Sequence, residues 1–434
     1  MLHPIATFRD PVHGYIDVFP HEKEIIDTPV FQRLRRIRQL GLTSYVYHGA
    51  EHSRFGHSLG VMHLAGKLTE RLLNKNRDLV IERLRWNGRE YEANSERLIL
   101  EARLAGLLHD IGHAPFSHVG EKRLFQDGKD HEDYACEMVS HPNLEIGETI
   151  NRHLNDIGVT KERVVSIIDP TGISEAGFVR ELVSSPWDAD KMDYLLRDSL
   201  YCGVNYGKYD LDRLMDTMTL CDQPSEGGGL VLGIDEDGVQ AVEGFALARY
   251  FMFTQVYFHD VRRIYDLLLA EYLGEVLTQC YGNGQYPTDL TEYLKWDDEM
   301  VLAHATREAD PKQQDLAWRI ICRHHPKKVY ETPTLHADPF QARKALYDLP
   351  NALKQDFPNV DIWPDQAIDH PEKPTQVDLP VKRGTHRVSW HSIAQNSRLM
   401  HSLAEVSLVR IHADVRGNRQ LEASIETFCR DFMA

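Results

Sequence analysis

Four side chains that could bind one metal ion lie far apart in the sequence, on segments that we predict to be helical. They are His57, the adjacent His109 and Asp110, and Asp190. Imidazole combined with carboxylate favours a catalytic divalent ion over a closed structural zinc site, because such ligation leaves positions for water and substrate oxygens. Alone, the His-Asp pair would be interpreted as a hydrogen-bonded pair in the core, so the neighbouring residues decide.

Further titratable residues follow this pair. His113, His118 and Glu121 come directly after it, and His131 follows ten residues after Glu121. A glycine and a proline in this stretch predict that the helix ends there. The chain would then turn back toward the C-terminal end of that helix. Burying so many titratable groups together is costly unless a metal ion or an anionic substrate compensates. The cluster therefore indicates a functional site.

The spacing of apolar residues predicts the elements that must position these side chains. Helical spacing is found over 25–40, 53–73, 95–110, 179–199 and 242–277. A turn and a short strand are expected over 8–18, a hairpin around Asp-Gly within 230–239, a strand over 406–412 and a helix over 418–432. Frequent prolines begin near residue 325. We therefore predict a mainly α protein with short β-hairpins, divided into a helical domain at 1–324 and a smaller C-terminal α+β lobe at 325–434.

Composition limits the classes of partner. The 434 residues include 49 Lys and Arg against 66 Asp and Glu, a net charge of -17. This charge disfavours nucleic acid and anionic membranes as default partners, since both are bound largely through phosphate neutralisation. The six cysteines are dispersed without a C-x-x-C pair, and no apolar run reaches the ~18 residues of a membrane span. We expect a cytoplasmic protein.

With these residues the sequence resembles the HD-domain metal-dependent phosphohydrolases. Their scattered H…HD…D signature corresponds to His57, His109 with Asp110, and Asp190. The sequence segments 52–60, 109–118 and 190–198 resemble those of the deoxynucleoside triphosphate (dNTP) triphosphohydrolase branch, whose animal member carries a sterile alpha motif. The resemblance runs from about Phe8 to Leu277 and implies that the domain at 1–324 is an HD-domain helical core.

The resemblance implies a reaction. The four signature residues would hold a divalent ion (Mg²⁺, Mn²⁺, Fe²⁺, Zn²⁺ or Ni²⁺), and water activated by that ion would attack the α-phosphorus to release deoxynucleoside and inorganic triphosphate. His118 corresponds to the acid that protonates the departing 5′ oxygen, and Glu121 occupies the position of the carboxylate that orients it. His113 and His131 correspond to residues near the α-phosphate.

Substrate contacts follow from the same resemblance. The phosphate contacts correspond to Arg54, Lys191 and Arg249. The residues that contact the 3′-hydroxyl and leave no space for a 2′-hydroxyl correspond to Gln39, Leu40, Tyr194 and Asp198. Independently of the resemblance, a helix beginning near Asp188 would place Lys191, Tyr194 and Asp198 on one face. The resemblance therefore implies a preference for deoxyribose.

A basic run at 32–38 has an ordinary interpretation as a solvated helix face. Leu34 and Ile37 would face inward and the arginines would point outward to solvent. Nucleic-acid binding through this run is the alternative, and the acidic balance of the chain weakens it.

Three residues in and beside this run suggest regulation. Asp27, Gln32 and Arg35 match positions at which the branch reads the guanine base of an activator at a subunit interface. This match implies a homo-oligomer, a dimer or a tetramer, with a guanine-nucleotide activator. However, Ala6 stands where the animal enzyme has a phosphate-binding lysine, and Arg9 replaces an asparagine.

The leading hypothesis is a metal-dependent dNTP triphosphohydrolase. A second hypothesis keeps the metal site but takes a nucleoside monophosphate, a cyclic dinucleotide or an alarmone as substrate. Gln39, Tyr194, Asp198 and Arg249 argue against it. A third hypothesis is a non-catalytic nucleotide sensor or nucleic-acid-binding module, in which His118 and Glu121 would have no purpose.

Overall fold

The computed structural model describes residues 3–169, 171, 177–223, 229–333, 335–369, 379–384, 388–403 and 406–434. The protein is mainly α, with small sheets and a C-terminal α+β region, as predicted. All six cysteines are free thiols. Within the ranges given above, no helix combines the length and the apolar character that crossing a bilayer requires.

The helices follow one another along the chain, interrupted by short 3-10 and π-helical turns. Up to residue 281 they are α1 Pro20–Ile26, α2 Pro29–Gln32, α3 Arg54–Lys75, α4 Arg77–Leu84, α5 Gly88–Leu108, α6 Glu121–Leu124, α7 His131–Ser140, α8 Ile146–Leu154, α9 Lys161–Ile168, α10 Gly177–Glu181, α11 Ala189–Cys202, α12 Leu211–Thr217, α13 Val239–Met252 and α14 Asp260–Tyr281. After it they are α15 Leu290–Tyr293, α16 Asp298–Glu308, α17 Leu316–Ile321, α18 Pro339–Arg343, α19 Leu349–Asp356, α20 Ile393–Asn396, α21 Arg398–Ser402 and α22 Arg419–Met433.

The strands form three small sheets. They are β1 Ala6–Asp10, β2 Gly14–Val18, β3 Met218–Gln223, β4 Gly229–Asp235, β5 Lys327–Glu331, β6 Ile362–Asp369, β7 Pro380–Arg383, β8 Ser389–Ser392 and β9 Val406–Ala413. β1 and β2 form an antiparallel hairpin. The second sheet has the order β3-β4-β7-β8, with β4 and β7 parallel, and in the third sheet β9 lies between β5 and β6.

The close approach of α3 and α5 sets the geometry of the site. A Cβ on Gly106 of α5 would lie only 3.0 Å from the carbonyl oxygen of Val61 on α3, so a side chain there would push the helices apart. His57 precedes Val61 by about one turn, and His109 follows Gly106 by about one turn. The contact therefore brings the two imidazoles together, with ring centroids 5.5 Å apart.

The helices predicted over 53–73 and 95–110 are confirmed as α3 and α5. α3 begins after Ser53. α5 begins earlier than predicted because the Asn87 side chain accepts hydrogen bonds from the first backbone N–H groups and caps the helix at Gly88. Leu98, Ala102 and Ala105 are fully buried on the predicted inward stripe.

The single helix predicted over 25–40 is wrong. α1 ends at Ile26, and Thr28 caps the short α2, which continues as a 3-10 helix over Arg33–Arg36. At Ile37 the backbone becomes extended, with φ -114° and ψ 111°. The apolar residues in this segment recur at three-residue steps, which match the 3.0 residues per turn of a 3-10 helix and not the 3.6 of an α-helix.

Two other predicted helices are each divided. The segment 179–199 breaks before Pro186, and Asp188 caps a new helix, α11. The segment 242–277 is interrupted by a π-helical turn at Phe253–Tyr257, and α14 starts at Asp260 after a cap by His259. The second break carries no proline or glycine, so the sequence pattern gave no signal for it.

The predicted strand after residue 8 is confirmed as β2, but the hairpin around Asp237 and Gly238 is wrong. β4 pairs with the preceding strand β3, and the residues after Gly238 begin α13. The two-residue turn signal is instead part of a 3-10 turn at Glu236–Gly238 that leads into the helix.

The C-terminal predictions over 406–412 and 418–432 are confirmed as β9 and α22. β9 is buried at every position because it is the central strand of its sheet. β7 and β8 extend the sheet of β3 and β4, so residues on both sides of position 325 share one sheet. The division into domains at 1–324 and 325–434 stays a prediction.

The outward orientation predicted for the arginines of the basic run is wrong for Arg33. This side chain is 1% exposed, and its guanidinium donates hydrogen bonds to the carbonyls of Trp296 and His113. Arg36 pairs with Asp297. The run therefore contributes to packing against distant segments of the chain, which no local sequence pattern could indicate.

Candidate active site

The four signature residues meet between three helices. His57 lies on α3, His109 and Asp110 follow the C-terminal end of α5, and Asp190 lies in the first turn of α11. The Nε2 atom of His57 is 2.9 Å from Oδ1 of Asp190 and 3.6 Å from Oδ2 of Asp110. Nε2 of His109 is 3.3 Å from Oδ1 of Asp110 and 3.8 Å from Oδ1 of Asp190.

The donor atoms of this cluster fit a divalent ion. Nδ1 of His57 lies 2.8 Å from Oδ2 of Asp193, and Nδ1 of His109 lies 2.8 Å from the carbonyl of Gly106. If both Nδ1 atoms carry the proton for these bonds, both Nε2 atoms present lone pairs. Both Nε2 atoms are buried without a hydrogen-bond partner. Ligand atoms of His57, His109 and Asp110 lie within 4.8 Å of one another, and Asp190 Oδ1 is beside the two imidazoles.

The carboxylates of the cluster are ionised. Burial raises the pKa of Asp110, but the adjacent Arg54 and nearby imidazoles outweigh it and hold that pKa well below the usual range. Burial also acts on Asp190, and the imidazoles again hold its pKa well below the usual range. For His57, burial lowers the pKa, yet the adjacent carboxylates of Asp190, Asp193 and Asp110 raise it to about 10. The cluster favours positive charge, which suits a cation.

Asp193 supports the cluster and was not among the predicted site residues. Its carboxylate contacts Nδ1 of His57 and Nε2 of His13 and forms a two-point ion pair with Arg197. A Cβ on Gly60 would lie 1.9 Å from Oδ1 of Asp193, so α3 accommodates this carboxylate only because the position is glycine. Its spacing of three residues from Asp190 on one helix was the signal that could have identified it.

A second cluster adjoins the first. Nδ1 of His118 is 2.8 Å from Oε2 of Glu121, and Nδ1 of His131 is 2.6 Å from Oε1 of the same carboxylate. His131 stacks on His113 with ring centroids 3.8 Å apart. Nε2 of His113 lies 3.2 Å from Oδ1 of Asp110. The structure thus brings all four predicted catalytic residues together beside the signature residues.

The pKa values in this second cluster are shifted in different directions, so its members differ in charge. Burial lowers the pKa of His113 far below its ordinary value, so this imidazole is neutral. Burial raises the pKa of Glu121, but hydrogen bonds with His118 and His131 outweigh it and keep the carboxylate ionised. The same bond with Glu121 raises the pKa of His131 against the effect of burial. For His118 desolvation is the larger effect, and the pKa is lowered.

His109, Asp110 and Asp190, together with the three imidazoles of the second cluster, line a cavity of about 230 Å³. Predicted substrate-binding residues in its lining are Gln39, Arg54, Lys191 and Tyr194. Oε1 of Gln39 is buried without a hydrogen-bond partner, so it can accept a bond from a ligand hydroxyl. The lining also includes residues that no sequence pattern indicated, namely Ile168, Val183 and Ser184.

Three predicted substrate-binding residues lie outside this lining. Leu40 follows Gln39 and is buried. Asp198 is 2% exposed, and its oxygens are 2.8 Å from Nε2 of His52 and 2.7 Å from the hydroxyl of Tyr257. Arg249 lines a smaller neighbouring cavity with Trp187 and Phe245. Their assigned roles stay predictions.

The three residues matched to an activator site lie near one another. Asp27 follows α1 and is exposed, and it pairs with Lys23. Oε1 of Gln32 accepts a hydrogen bond of 2.8 Å from Nε of Arg35. The guanidinium of Arg35 lies 3.5 Å from the ring centroid of Phe55. The guanidinium of Arg35 therefore already stacks on an aromatic ring beside Gln32.

Comparison with known families agrees with this geometry. The HD domain model matches residues 54–195, which contain the four signature residues, and the HD associated region model matches residues 209–405. The chain belongs to the HD-domain phosphohydrolase family, and it carries the HD associated region.

Particular relatives can be named. The uncharacterized protein YwfO of Bacillus subtilis is 36% identical over 73% of this chain and 70% of its own length. Deoxynucleoside triphosphate triphosphohydrolase SAMHD1 of Gallus gallus is 31% identical over 76% of this chain, and SAMHD1 of Homo sapiens is 33% identical over 72%. The alignments span 58% of the chicken protein and 52% of the human protein.

A solved structure shares the whole fold. The crystal structure of a hypothetical protein from Aquifex aeolicus superposes with a TM-score of 0.74 at 29% identity, covering 98% of this chain and 99% of that one. The architecture, including the region after residue 325, is therefore found complete in another protein.

Proposed function

We propose that the protein is a metal-dependent dNTP triphosphohydrolase that releases deoxynucleoside and inorganic triphosphate by attack of water at the α-phosphorus. One observation carries the proposal: a single cavity is lined by three of the four signature residues, by the imidazoles of the second cluster, and by the basic residues Arg54 and Lys191. The named activity of the SAMHD1 relatives supports it.

His57, His109, Asp110 and Asp190 would hold a divalent ion. When bound, such an ion lowers the pKa of water and neutralises charge on a phosphoryl oxygen. Arg54 and Lys191 would then bind the triphosphate, which brings about four negative charges into the cavity. Nζ of Lys191 lies 2.9 Å from Asp188, which holds the ammonium at the cavity wall.

The departing 5′ oxygen needs a proton, and we assign its donor to His118. Glu121 occupies Nδ1 of this imidazole, so Nε2 is the atom that would donate to the substrate. His118 lines the cavity, which leaves that face accessible to substrate. Neutral His113 and the stacked His131 would flank the α-phosphate, and Glu121 would orient both of its imidazole partners.

We assign discrimination of the sugar to Gln39, Leu40, Tyr194 and Asp198. The unpartnered Oε1 of Gln39 supports a contact with the 3′-hydroxyl. Tyr194 lines the cavity beside it, and burial raises the pKa of its hydroxyl, so it stays protonated and can donate. We assign Arg249, which lines the smaller cavity described above, to the phosphates.

Hydrolysis in water enriched with heavy oxygen tests where attack occurs. We expect the label in inorganic triphosphate alone, because the new oxygen bonds to the α-phosphorus while the 5′ oxygen stays with the nucleoside. Mass spectrometry of both products measures this. Label in the deoxynucleoside, or in orthophosphate as the first product, would contradict attack at the α-phosphorus and favour another phosphoester substrate.

We also propose weak activation by a guanine nucleotide bound at Asp27, Gln32 and Arg35 in a homo-oligomer, a dimer or tetramer. Because Ala6 lacks the charge of a lysine, affinity should be ~10 to 100-fold lower than with that contact, although Arg9 can compensate in part. We expect dGTP or GTP to raise the rate on another dNTP and to increase the sedimentation coefficient. Asp27→Ala and Arg35→Ala should lose both effects, whereas Arg213→Ala on α12 should not.

Kinetics decide this proposal. A lag or sigmoidal rate curve is expected at low nucleotide in the wild type. Equal hyperbolic curves in wild type, Asp27→Ala and Arg35→Ala, with unchanged sedimentation, would show that these residues carry no regulation.

A further inference from the structure

The loop between α5 and α6 carries His113 and His118 in an unfavourable backbone conformation. Phe116 has φ 59° and Ser117 has φ 65°, the left-handed region that residues with side chains rarely adopt. Two such residues in succession persist only where the surroundings hold them. The position of His118, which comes directly after them, therefore depends on the contacts that fix this turn.

A carboxylate from the HD associated region makes the contact at the turn. Oδ1 of Asp298, the first residue of α16, accepts a hydrogen bond of 2.7 Å from the backbone N–H of Phe116. Oδ2 accepts a bond of 2.9 Å from the backbone N–H of Arg38. Asp298 is 2% exposed. One side chain thus joins the loop that carries His118 to the segment that carries Gln39.

Neighbouring hydrogen bonds reinforce this link between the two segments. Oγ of Ser117 donates to the carbonyl of Arg38 at 2.7 Å and accepts from Nε of Arg54 at 2.8 Å. At the start of the loop, the hydroxyl of Tyr293 donates to the carbonyl of Gly112 at 2.6 Å. The segment before α16 therefore holds the start of the loop, and Asp298 holds its strained part.

Only a carboxylate meets both requirements at this position. Two N–H donors face its two oxygens, and an amide of the same shape would turn its NH₂ group toward one of them. Burial raises the pKa of Asp298 to about 7 against these two hydrogen bonds. Burying an ionisable group here costs free energy. A side chain that only filled space at this position could be apolar and would avoid that cost.

We propose that Asp298 is a positioning residue that fixes His118 and Gln39 relative to each other and so aligns the proton donor with the bound sugar. The proposal rests on the function proposed above. Asp298 does not touch the cavity, since both of its oxygens are directed at backbone N–H groups. It acts through Phe116 and Arg38.

The neighbouring Asp297 offers a matched control. It caps the same helix by accepting from the N–H of Met300, and it pairs with Arg36, but its oxygens make neither of the two bonds above. Asp298→Asn keeps the side-chain shape with one good acceptor, and Asp298→Ala removes both. We expect kcat on a dNTP to fall ~10 to 100-fold in both Asp298 variants, with KM within about threefold and unchanged metal content. Asp297→Ala should lower the melting temperature while kcat stays within about threefold of wild type.

Hydrogen exchange tests the same proposal without any activity measurement. Amides of residues 112–120 should exchange faster in both Asp298 variants and at the wild-type rate in Asp297→Ala. If Asp298→Ala does not fold, Asp298→Asn decides. Wild-type kcat and exchange in the Asp298 variants would overturn the proposal, as would an equal loss of kcat in Asp297→Ala. A wild-type enzyme that does not hydrolyse dNTPs would contradict the proposed function, and the exchange rates would still decide whether Asp298 holds the loop.

Discussion

Asp190→Ala and His109→Ala should each abolish turnover and deplete bound metal while the fold is kept. Each removes one of the four proposed ligands, and the loss of an ion that contributes several kcal/mol to the transition state costs at least ~1000-fold in rate. The fold should persist because Asp190 is 28% exposed and His109 lies beyond the last helical residue of α5. Elemental analysis measures the metal and product release measures the rate.

Surface residues of the same types serve as controls for these variants. Asp212→Ala and His153→Ala change an exposed carboxylate and a surface imidazole that pairs with Glu24. Both should retain full metal content and activity. Full metal content together with substantial activity in Asp190→Ala and His109→Ala would refute the assignment of the ion to this cluster.

His118→Ala should separate binding from chemistry. The variant should keep its metal and still bind dNTP, because His118 contacts Glu121 and two imidazoles but none of the four ligands. The rate should fall at least ~100-fold because the 5′ oxygen leaves without a proton. Metal analysis, dNTP binding and single-turnover kinetics measure the three quantities. Loss of metal with normal turnover per bound ion would show that His118 is not the acid.

The pH profile gives a second test of the same role. Desolvation lowers the pKa of His118, and an acid must be protonated to act. For the wild type, kcat/KM should therefore fall as pH rises through the pKa of His118, which lies below the ordinary histidine value in the free enzyme. This descending limb should be absent in His118→Ala. An unchanged limb would assign it to another group.

Much of the site could be predicted from sequence, since its residue types and spacing are informative. The proximity of His57, His109 and Asp190 follows from α3 and α5, whose apolar spacing is regular, and from the cap at Asp188 that starts α11. Asp193 could have been found by its place on the same helix.

The remaining features depend on contacts between distant segments. Asp298 lies 182 residues after its partner Phe116 and belongs to no motif. Arg33 is buried only because Trp296 and His113 come to it. The π-helical turn at Phe253–Tyr257 interrupts a continuous apolar pattern without a breaking residue. Tertiary contacts decide the first two, and local sequence propensity indicates none of the three.

The most direct test of the proposed activity is product analysis of the purified, metal-supplemented protein with each of the four dNTPs. Separation by chromatography should show deoxynucleoside and inorganic triphosphate in equal amounts, and ribonucleoside triphosphates should be poor substrates. Release of pyrophosphate or orthophosphate as the first product, or hydrolysis confined to a nucleoside monophosphate, a cyclic dinucleotide or an alarmone, would contradict the account.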